Sequence, residues 1–580
     1  MGTLFYLSLV LPLRSWLTSD LGLLMGWTLL GAWLRFQNLT DKPPWTDEFA
    51  TLVFSLGNVF STIPPHIALS SSDLLAPLQA NPTAQVSTVV DLILEQDNHP
   101  PLYFALAHLW LRLFPTSSGL VNLWAARALP ALIGVAAIPL GYAGMRWLGK
   151  SAGLAHGFAL LLALSPYAIF IAQEARHYTL AVLMVLLSLG CFLKGSQSLL
   201  RGHSLPPSLV VAWVLVNGLA LSVHFFTGLF LTAQGLTLLL IWRWPSSSLA
   251  WSPKAWRSLI PVMLGTLATL VFWAWMISQR GYGNGMTDWI RQDNSSFSSL
   301  IGPPFQLLAA LITMVCLFPV ESSSLGIVVL SGVGMALYLL WLGPQVWQGL
   351  NQSLNQHPEI RLLGLLLGSL IFLYLGITYF GGMDITRGAR YSFNFLPIVV
   401  GLLAFGLDSR LFSASDPNPP GKWPLRHATL LIVISAGLIS GLTITHNLGY
   451  QKYYRPEQLL QVLAENPGQA PPLIVTTQQS LVQVGEMMGL AWQVQQAPSL
   501  ERPPHFLLIP QTRLQSPQAG QQLQQFLATQ TQPLDLWLVN FLAPVNLPTC
   551  QRDPRPFILI HGYQYERFSC PASAKATSGP

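Results

Sequence analysis

Residues 45–103 open on Trp45-Thr46-Asp47-Glu48 and close on Asp97-Asn98-His99-Pro100-Pro101-Leu102-Tyr103. Two adjacent carboxylates follow directly on the first long apolar segment, in a chain that is 51% hydrophobic and only 9% charged. At a bilayer boundary such groups are expensive, and chains keep them for sites and pathways. The stretch divides the sequence into an apolar, repeatedly interrupted region around it and a polar tail far behind it.

Soluble domains carry roughly 25% charged residues. With 580 residues, 20 Trp and a mean hydropathy of +0.47, this composition is that of an integral membrane protein. About 20 apolar residues cross roughly 30 Å of hydrocarbon. The sequence predicts about eleven such helices, at 21–36, 123–142, 154–170, 179–193, 209–223, 225–242, 259–277, 327–342, 362–380, 392–407 and 430–445. Two apolar runs, 101–114 and 307–318, are too short for a confident crossing; the first is expected along the membrane surface and the second outside or re-entrant. The net charge of +6 says less than its distribution. Arg14, Arg146, Lys150, Lys194, Arg201, Arg243, Lys254, Arg257, Arg361, Arg410, Lys422 and Arg426 mark one side, the cytoplasmic one by the positive-inside rule. The N-terminus is then cytoplasmic, and the loop 37–121, with seven acids against Lys42 and Arg112, lies outside. Residues 1–13 lack a basic leader and a small-residue cleavage site and read as retained. No basic run points to nucleic acid.

The fold expected is mainly α: a polytopic membrane domain over 1–445, with 37–121 as its first outer loop, and an extracytoplasmic α/β domain over 446–580. The tail is rich in Gln and Pro, and its short apolar runs 473–475, 506–509 and 536–539 alternate with helix-like 480–490 and 520–528. It contains no Gly-rich phosphate loop and no nucleophile elbow. Cys550 and Cys570 are disulfide candidates if the tail faces an oxidising compartment, whereas Cys191 and Cys316 read as buried thiols.

On this topology Asp47-Glu48, His99, Glu174-Ala175-Arg176-His177-Tyr178 and Arg387-Gly388-Ala389-Arg390-Tyr391 share the outer face, and His224 occupies an outer turn. Such a set offers a carboxylate able to take a proton and guanidiniums that stay charged and grip phosphate oxygens with paired donors. Each residue also has a plainer reading. Acids favour the first turn of a surface helix, His99-Pro100-Pro101 suits a helix start, Arg176 pairs with Glu174 or lipid headgroups, and Trp45 and Tyr103 suit a membrane interface.

Trp45-Thr46-Asp47-Glu48 after the first helix, His99-Pro100-Pro101-Leu102-Tyr103, Ser165-Pro166 followed by Gln173-Glu174-Ala175-Arg176-His177-Tyr178, and Arg390-Tyr391 before an apolar helix resemble the GT-C glycosyltransferases. Within that class the chain is most similar to the group of protein O-mannosyltransferases and lipid A aminoarabinose transferases, families 39 and 83, over roughly residues 20–445. The resemblance implies an inverting transferase of the bacterial inner membrane that moves a sugar from a polyprenyl-phosphate donor to an extracytoplasmic hydroxyl on protein, lipid or polysaccharide. It implies Asp47 as base, with Glu48 orienting it. Arg176, Arg390, His99 and Tyr391 would hold the donor phosphate, and Tyr103, Glu174, His177, Tyr178, His224 and Arg387 would line the substrates. No cofactor is required on this reading; a divalent metal is compatible with it, but no ligand set is assigned. Loop 281–299 and the tail are expected on the acceptor side. A flippase and an inactive sugar-lipid binder are the alternatives; transporters place ionisable groups near the bilayer midplane.

Overall fold

The computed structural model describes residues 19–116, 119–244, 253–279, 288–291, 297–411, 423–496, 500–511 and 516–573. Residues 1–13, Arg14, most of loop 281–299, Lys422 and the side chains of Lys254, Arg410 and Arg426 lie outside the described residues. The chain forms two compact units. One comprises Met1–Leu39, Leu94–Tyr103 and Arg127–Gln451; the other comprises Thr40–Ile93, Phe104–Ala126 and Lys452–Pro580. Loop 37–121 is therefore shared between them.

In the first unit the apolar stretches are helical. Among the described residues seven helices are long and apolar enough to cross a membrane, or eight if the pair Ala152–Leu164 and Pro166–Ala172, bent by 55°, is one span. Asp20–Phe36, Pro207–Val223 and Thr227–Arg243 have 17 residues each, the short end of the spanning range of about 17–25. The run at 307–318 belongs to a longer helix, Phe297–Val315, which continues through Pro303 and Pro304. Pro304 has no N–H for the carbonyl of Leu300, and the Tyr379 hydroxyl donates to that oxygen instead, at 2.6 Å.

The bend between Ala152–Leu164 and Pro166–Ala172 positions the polar cluster. Ser165 ends one helix and caps the next, its Oγ accepting from Ala168 N at 3.4 Å. Pro166 cannot supply the N–H that Leu162 O would receive. Arg35, 1% exposed in the last turn of helix Asp20–Phe36, fills the gap: Nη2 donates to Leu162 O at 3.0 Å, and Nη1 to Ala163 O at 3.1 Å and Gly31 O at 3.0 Å. Gly134 leaves room for it, because a Cβ there would stand 3.1 Å from Arg35 Nε and 3.2 Å from Ala172 Cβ. Beyond the bend, Gln173 Nε2 donates to Gln37 O at 2.8 Å. At the opposite end of helix Tyr178–Leu200, Gln197 Nε2 donates to Glu359 Oε1 at 2.7 Å, and Lys150 Nζ pairs with the same oxygen at 2.8 Å.

The second unit holds a sheet of β1 (Pro472–Gln478), β2 (His505–Pro510), β3 (Leu534–Val539), β4 (Gln551–Arg552) and β5 (Tyr565–Cys570), in the order β2-β1-β3-β5-β4. β1 pairs parallel with β2 and β3, while β5 runs antiparallel to β3 and β4. The alternating period of strands sends Leu473, Val475, Leu507, Ile509, Leu536 and Leu538 to one face, where Ala519 and Leu523 of helix Gln518–Ala528 cover them. Cys550 is disulfide-bonded to Cys570. Glu486, on helix Leu481–Gln496, is 4% exposed. Burial pushes its carboxyl up to about 7, against hydrogen bonds from Tyr454 and from Asn540 Nδ2 (3.3 Å).

Two outcomes are expected. Arg35→Met strands the Leu162 and Ala163 carbonyls in an apolar surround, at roughly 3 kcal/mol; an unchanged melting temperature in detergent would show the guanidinium to be dispensable. For Glu486 the folded state keeps a proton that the unfolded chain releases, so stability is lost as pH rises from about 4.5 through about 7. Glu486→Gln should remove that decline and be the more stable form at pH 8 by about 3 kcal/mol. Melting curves of the two proteins that run parallel from pH 5 to 8 would contradict it.

Candidate active site

Several connections at one end of the first unit's helices contribute to one polar cluster. His99 precedes helix Leu102–Leu111, and its ring lies 4.8 Å from that of His177 and 5.7 Å from that of His224. His177 stands at the start of helix Tyr178–Leu200 and His224 at the end of Pro207–Val223; their rings are 4.7 Å apart. Tyr178 lies 5.6 Å from His224, and Tyr103 lies 6.1 Å from His177. Arg176, 2% exposed, lies with its guanidinium 5.7 Å from the Tyr178 ring. Glu174 is 5% exposed, and its carbonyl accepts from Arg176 N at 2.7 Å.

Asp97, which sequence reasoning left without a role, orders this cluster. Its Oδ1 receives His99 Nδ1–H at 2.6 Å, and the remaining His99 nitrogen, Nε2, faces Arg176 Nη2 at 3.4 Å. His99 thus stands between the Asp97 carboxylate and the Arg176 guanidinium. Burial alone would push the Asp97 carboxyl up, but His99, the Arg176 charge and the Asn98 amide (2.6 Å) outweigh it and hold the group below the usual carboxylate range. Burial lowers His177 and His224 well below the ordinary imidazole value, and the charges of Arg176 and Arg390 add to the effect. Both rings are neutral, so the guanidiniums are the cations of the cluster.

Arg390 and Tyr391 belong to the 3₁₀ segment Ala389–Phe395, held by hydroxyls donating to its carbonyls. Tyr167 bonds Ala389 O at 3.1 Å and Arg390 O at 3.0 Å, while Tyr374 bonds Tyr391 O at 2.6 Å. The Arg390 guanidinium lies 5.1 Å from the Trp289 ring and 5.0 Å from the Tyr391 ring, and those two rings stack at 5.9 Å. Tyr391 is 6.5 Å from His224. Arg387 is engaged locally, Nε with Asp384 Oδ2 and Nη1 with Trp289 O, each at 3.1 Å. Trp289 is a further residue that sequence reasoning missed; an isolated aromatic in a polar loop was the available signal.

Asp47 and Glu48 belong to the second unit, in the first turn of helix Thr46–Ser55. Glu48 is buried and Asp47 half-buried. Within that unit their helix packs on Leu481–Gln496. Phe49 meets Trp492 edge-on at 6.4 Å, Lys452 Nζ lies 4.1 Å from the Trp45 ring, and His108 Nδ1 bonds Ser55 O at 2.9 Å. The contact is close at Gly485, where a Cβ would fall 2.7 Å from Thr46 Cγ2 and 3.2 Å from Thr46 Cα.

No protein-family model matches the sequence, and no curated protein is similar to it in sequence. Among solved structures the chain is similar to ArnT from Cupriavidus metallidurans bound to undecaprenyl phosphate, with 14% identity, 95% of this chain and 97% of that one covered, and a TM-score of 0.48. The apo form of the same protein gives 14% identity, full coverage of both chains and 0.46. The oligosaccharyltransferase of Archaeoglobus fulgidus tethered with an acceptor peptide gives 14% identity over 84% of this chain and a TM-score of 0.42, and this chain spans only 64% of its length. With TM-scores below 0.5 these are distant likenesses.

Gly485→Val should force helix Leu481–Gln496 off Thr46 and lower the melting temperature, overpacking at such contacts being worth about 1–3 kcal/mol. Adding Thr46→Ser, which removes Cγ2, should restore part of the loss; a double variant no more stable than Gly485→Val would refute the contact.

Proposed function

We propose that the chain is a membrane glycosyltransferase, and in particular an inverting one that moves a sugar from a polyprenyl-phosphate donor to a hydroxyl on the extracytoplasmic side of a bacterial inner membrane. The observation that carries the reading is the convergence of two guanidiniums remote in sequence. Arg176 reaches His99 at 3.4 Å, whose ring lies 5.7 Å from that of His224, and Arg390 lies 5.0 Å from the ring of Tyr391, which is 6.5 Å from His224; burial keeps His177 and His224 uncharged between them. Two fixed cations beside neutral donors suit a phosphate whose negative charge grows as it leaves. The stacked rings of Trp289 and Tyr391 add an apolar face of the kind a sugar ring packs on.

The acceptor oxygen attacks the anomeric carbon as the bond from that carbon to the phosphate oxygen breaks. The acceptor proton passes to the Asp47 carboxylate, and polyprenyl phosphate departs against Arg176 and Arg390. A single direct displacement inverts the anomeric centre; a retaining route would need a second carboxylate as nucleophile. Glu48, the adjacent residue, is buried and serves to orient Asp47. His99 acts through Arg176, while Tyr103, Glu174, His177, Tyr178 and Arg387 shape the surroundings. The sheet-containing unit, with loop 281–299, is assigned to the acceptor. A flippase is the second reading; the position of these charges at helix ends and connections favours the transferase.

The full-length protein in proteoliposomes, given polyprenyl-phosphate sugars and envelope acceptors, should form a covalent product and release polyprenyl phosphate. Asp47→Asn should lower turnover by about 1,000-fold or more with donor binding retained. Arg176→Gln should chiefly weaken donor binding. Sugar that crosses the bilayer without transfer, or an Asp47→Asn protein as active as wild type, would overturn the assignment.

A further inference from the structure

His224 closes helix Pro207–Val223 and is 4% exposed. Its Nδ1 accepts the Phe226 amide at 3.1 Å. A backbone N–H can only donate, so the neutral ring must carry its proton on Nε2. That Nε2–H is buried and has no hydrogen-bond partner among the described residues. A buried donor without an acceptor is destabilising, and a ligand that brings the acceptor relieves that cost. The ring is enclosed by His99, His177, Tyr178, Phe226, Tyr391 and Phe393.

Ligand nitrogens of His99, His177 and His224 lie within 4.8 Å of one another, a spacing from which three imidazoles can close on a transition-metal ion. The protonation pattern opposes that use. His99 turns its lone pair toward Arg176 Nη2, and His224 spends its own on the Phe226 amide, so the nitrogen left over on His224 is a donor. A donor asks for an oxygen.

We propose that His224 Nε2–H is an uncharged ligand-binding donor that completes the Arg176 cluster by hydrogen-bonding a phosphoryl oxygen. This rests on the reading of the cluster as a phosphate site but assigns a residue and an atom that the chemistry of transfer does not by itself require. An imidazole N–H in this role adds directionality without adding charge, and the two guanidiniums supply the field.

The test uses the full-length protein in detergent with polyprenyl monophosphate as probe, and inorganic phosphate in parallel to separate a lipid headgroup from the free anion. His224→Phe keeps the ring packing and removes the donor; it should weaken binding about tenfold for whichever probe binds. His224→Gln returns an N–H near the same position and should recover most of the affinity. Should His224→Phe fail to fold, His224→Met fills the space without a donor and carries the same expectation. Wild-type affinity in the Phe or Met variant would overturn the proposal, as would failure of the wild type to bind either probe. Stoichiometric zinc bound by wild type and lost in His224→Phe would also overturn it, by making Nε2 a metal ligand. A protein that binds polyprenyl phosphate through His224 yet transfers no sugar would leave this inference standing and remove the transferase reading.

Discussion

A charged side chain buried in a membrane helix needs acceptors for its donors, and Arg35 finds them for both terminal guanidinium nitrogens, one of them in the Leu162 carbonyl that a proline has released. In hydrocarbon an unsatisfied backbone oxygen is expensive, and Pro166 deprives Leu162 O of its helical donor. The guanidinium and the broken helix are each unfavourable alone; together they satisfy one another at 3.0 to 3.1 Å. The helix thereby turns through 55° instead of continuing as a straight span. Because the break is fastened on both sides, by Arg35 and by the Ser165 cap, it is a fixed angle and not a hinge.

That angle reaches both of the remote guanidiniums. The bent segment Pro166–Ala172 leads directly into Gln173 and Arg176, and the same segment carries Tyr167, whose hydroxyl holds Ala389 O and Arg390 O. Phe170, one turn further, stacks on Tyr450 at 4.2 Å, which ties the segment to the chain following helix Trp423–Thr445. One short element thus sets the backbone positions of two cations separated by more than two hundred residues. For a phosphate site this matters more than the charge itself, since preorganised donors need no rearrangement as the leaving group's charge develops.

The sequence made much of this legible and hid the rest for identifiable reasons. Apolar runs announced the helices because composition alone decides whether a segment can shed water, and the Ser165-Pro166 pair stood in plain view beside Arg176. Arg35 did not declare its role: at the end of an apolar run it reads as an interfacial charge, and its partners are carbonyls, which carry no sequence signature. Asp97 stands in the same motif as His99, yet only the contact between their side chains reveals that it orients the ring. The partition of loop 37–121 between two compact units was equally hidden. Among its contacts is the one where Gly485 admits Thr46, a match between one missing side chain and a helix more than four hundred residues earlier. In the tail, β1, β2 and β3 are visible as apolar runs, whereas β5, Tyr565–Cys570, shows only as part of a strand-like region between Cys550 and Cys570, because polar residues alternate along it.

On the proposed reading, this partition separates the packing of the base from that of the phosphate ligands. The proposed base stands on helix Thr46–Ser55, whose buried face is committed to Leu481–Gln496 and to His108 within the sheet-containing unit. The proposed phosphate ligands are committed to the membrane helices, through Asp97, Tyr167 and Tyr374. On the proposed reading the base and the phosphate ligands therefore answer to different packing constraints, the first to apolar contacts inside the α/β unit and the second to buried polar contacts among the membrane helices. Apolar cores accept exchange that keeps volume and pattern, whereas a buried polar contact that loses one partner leaves the other unsatisfied.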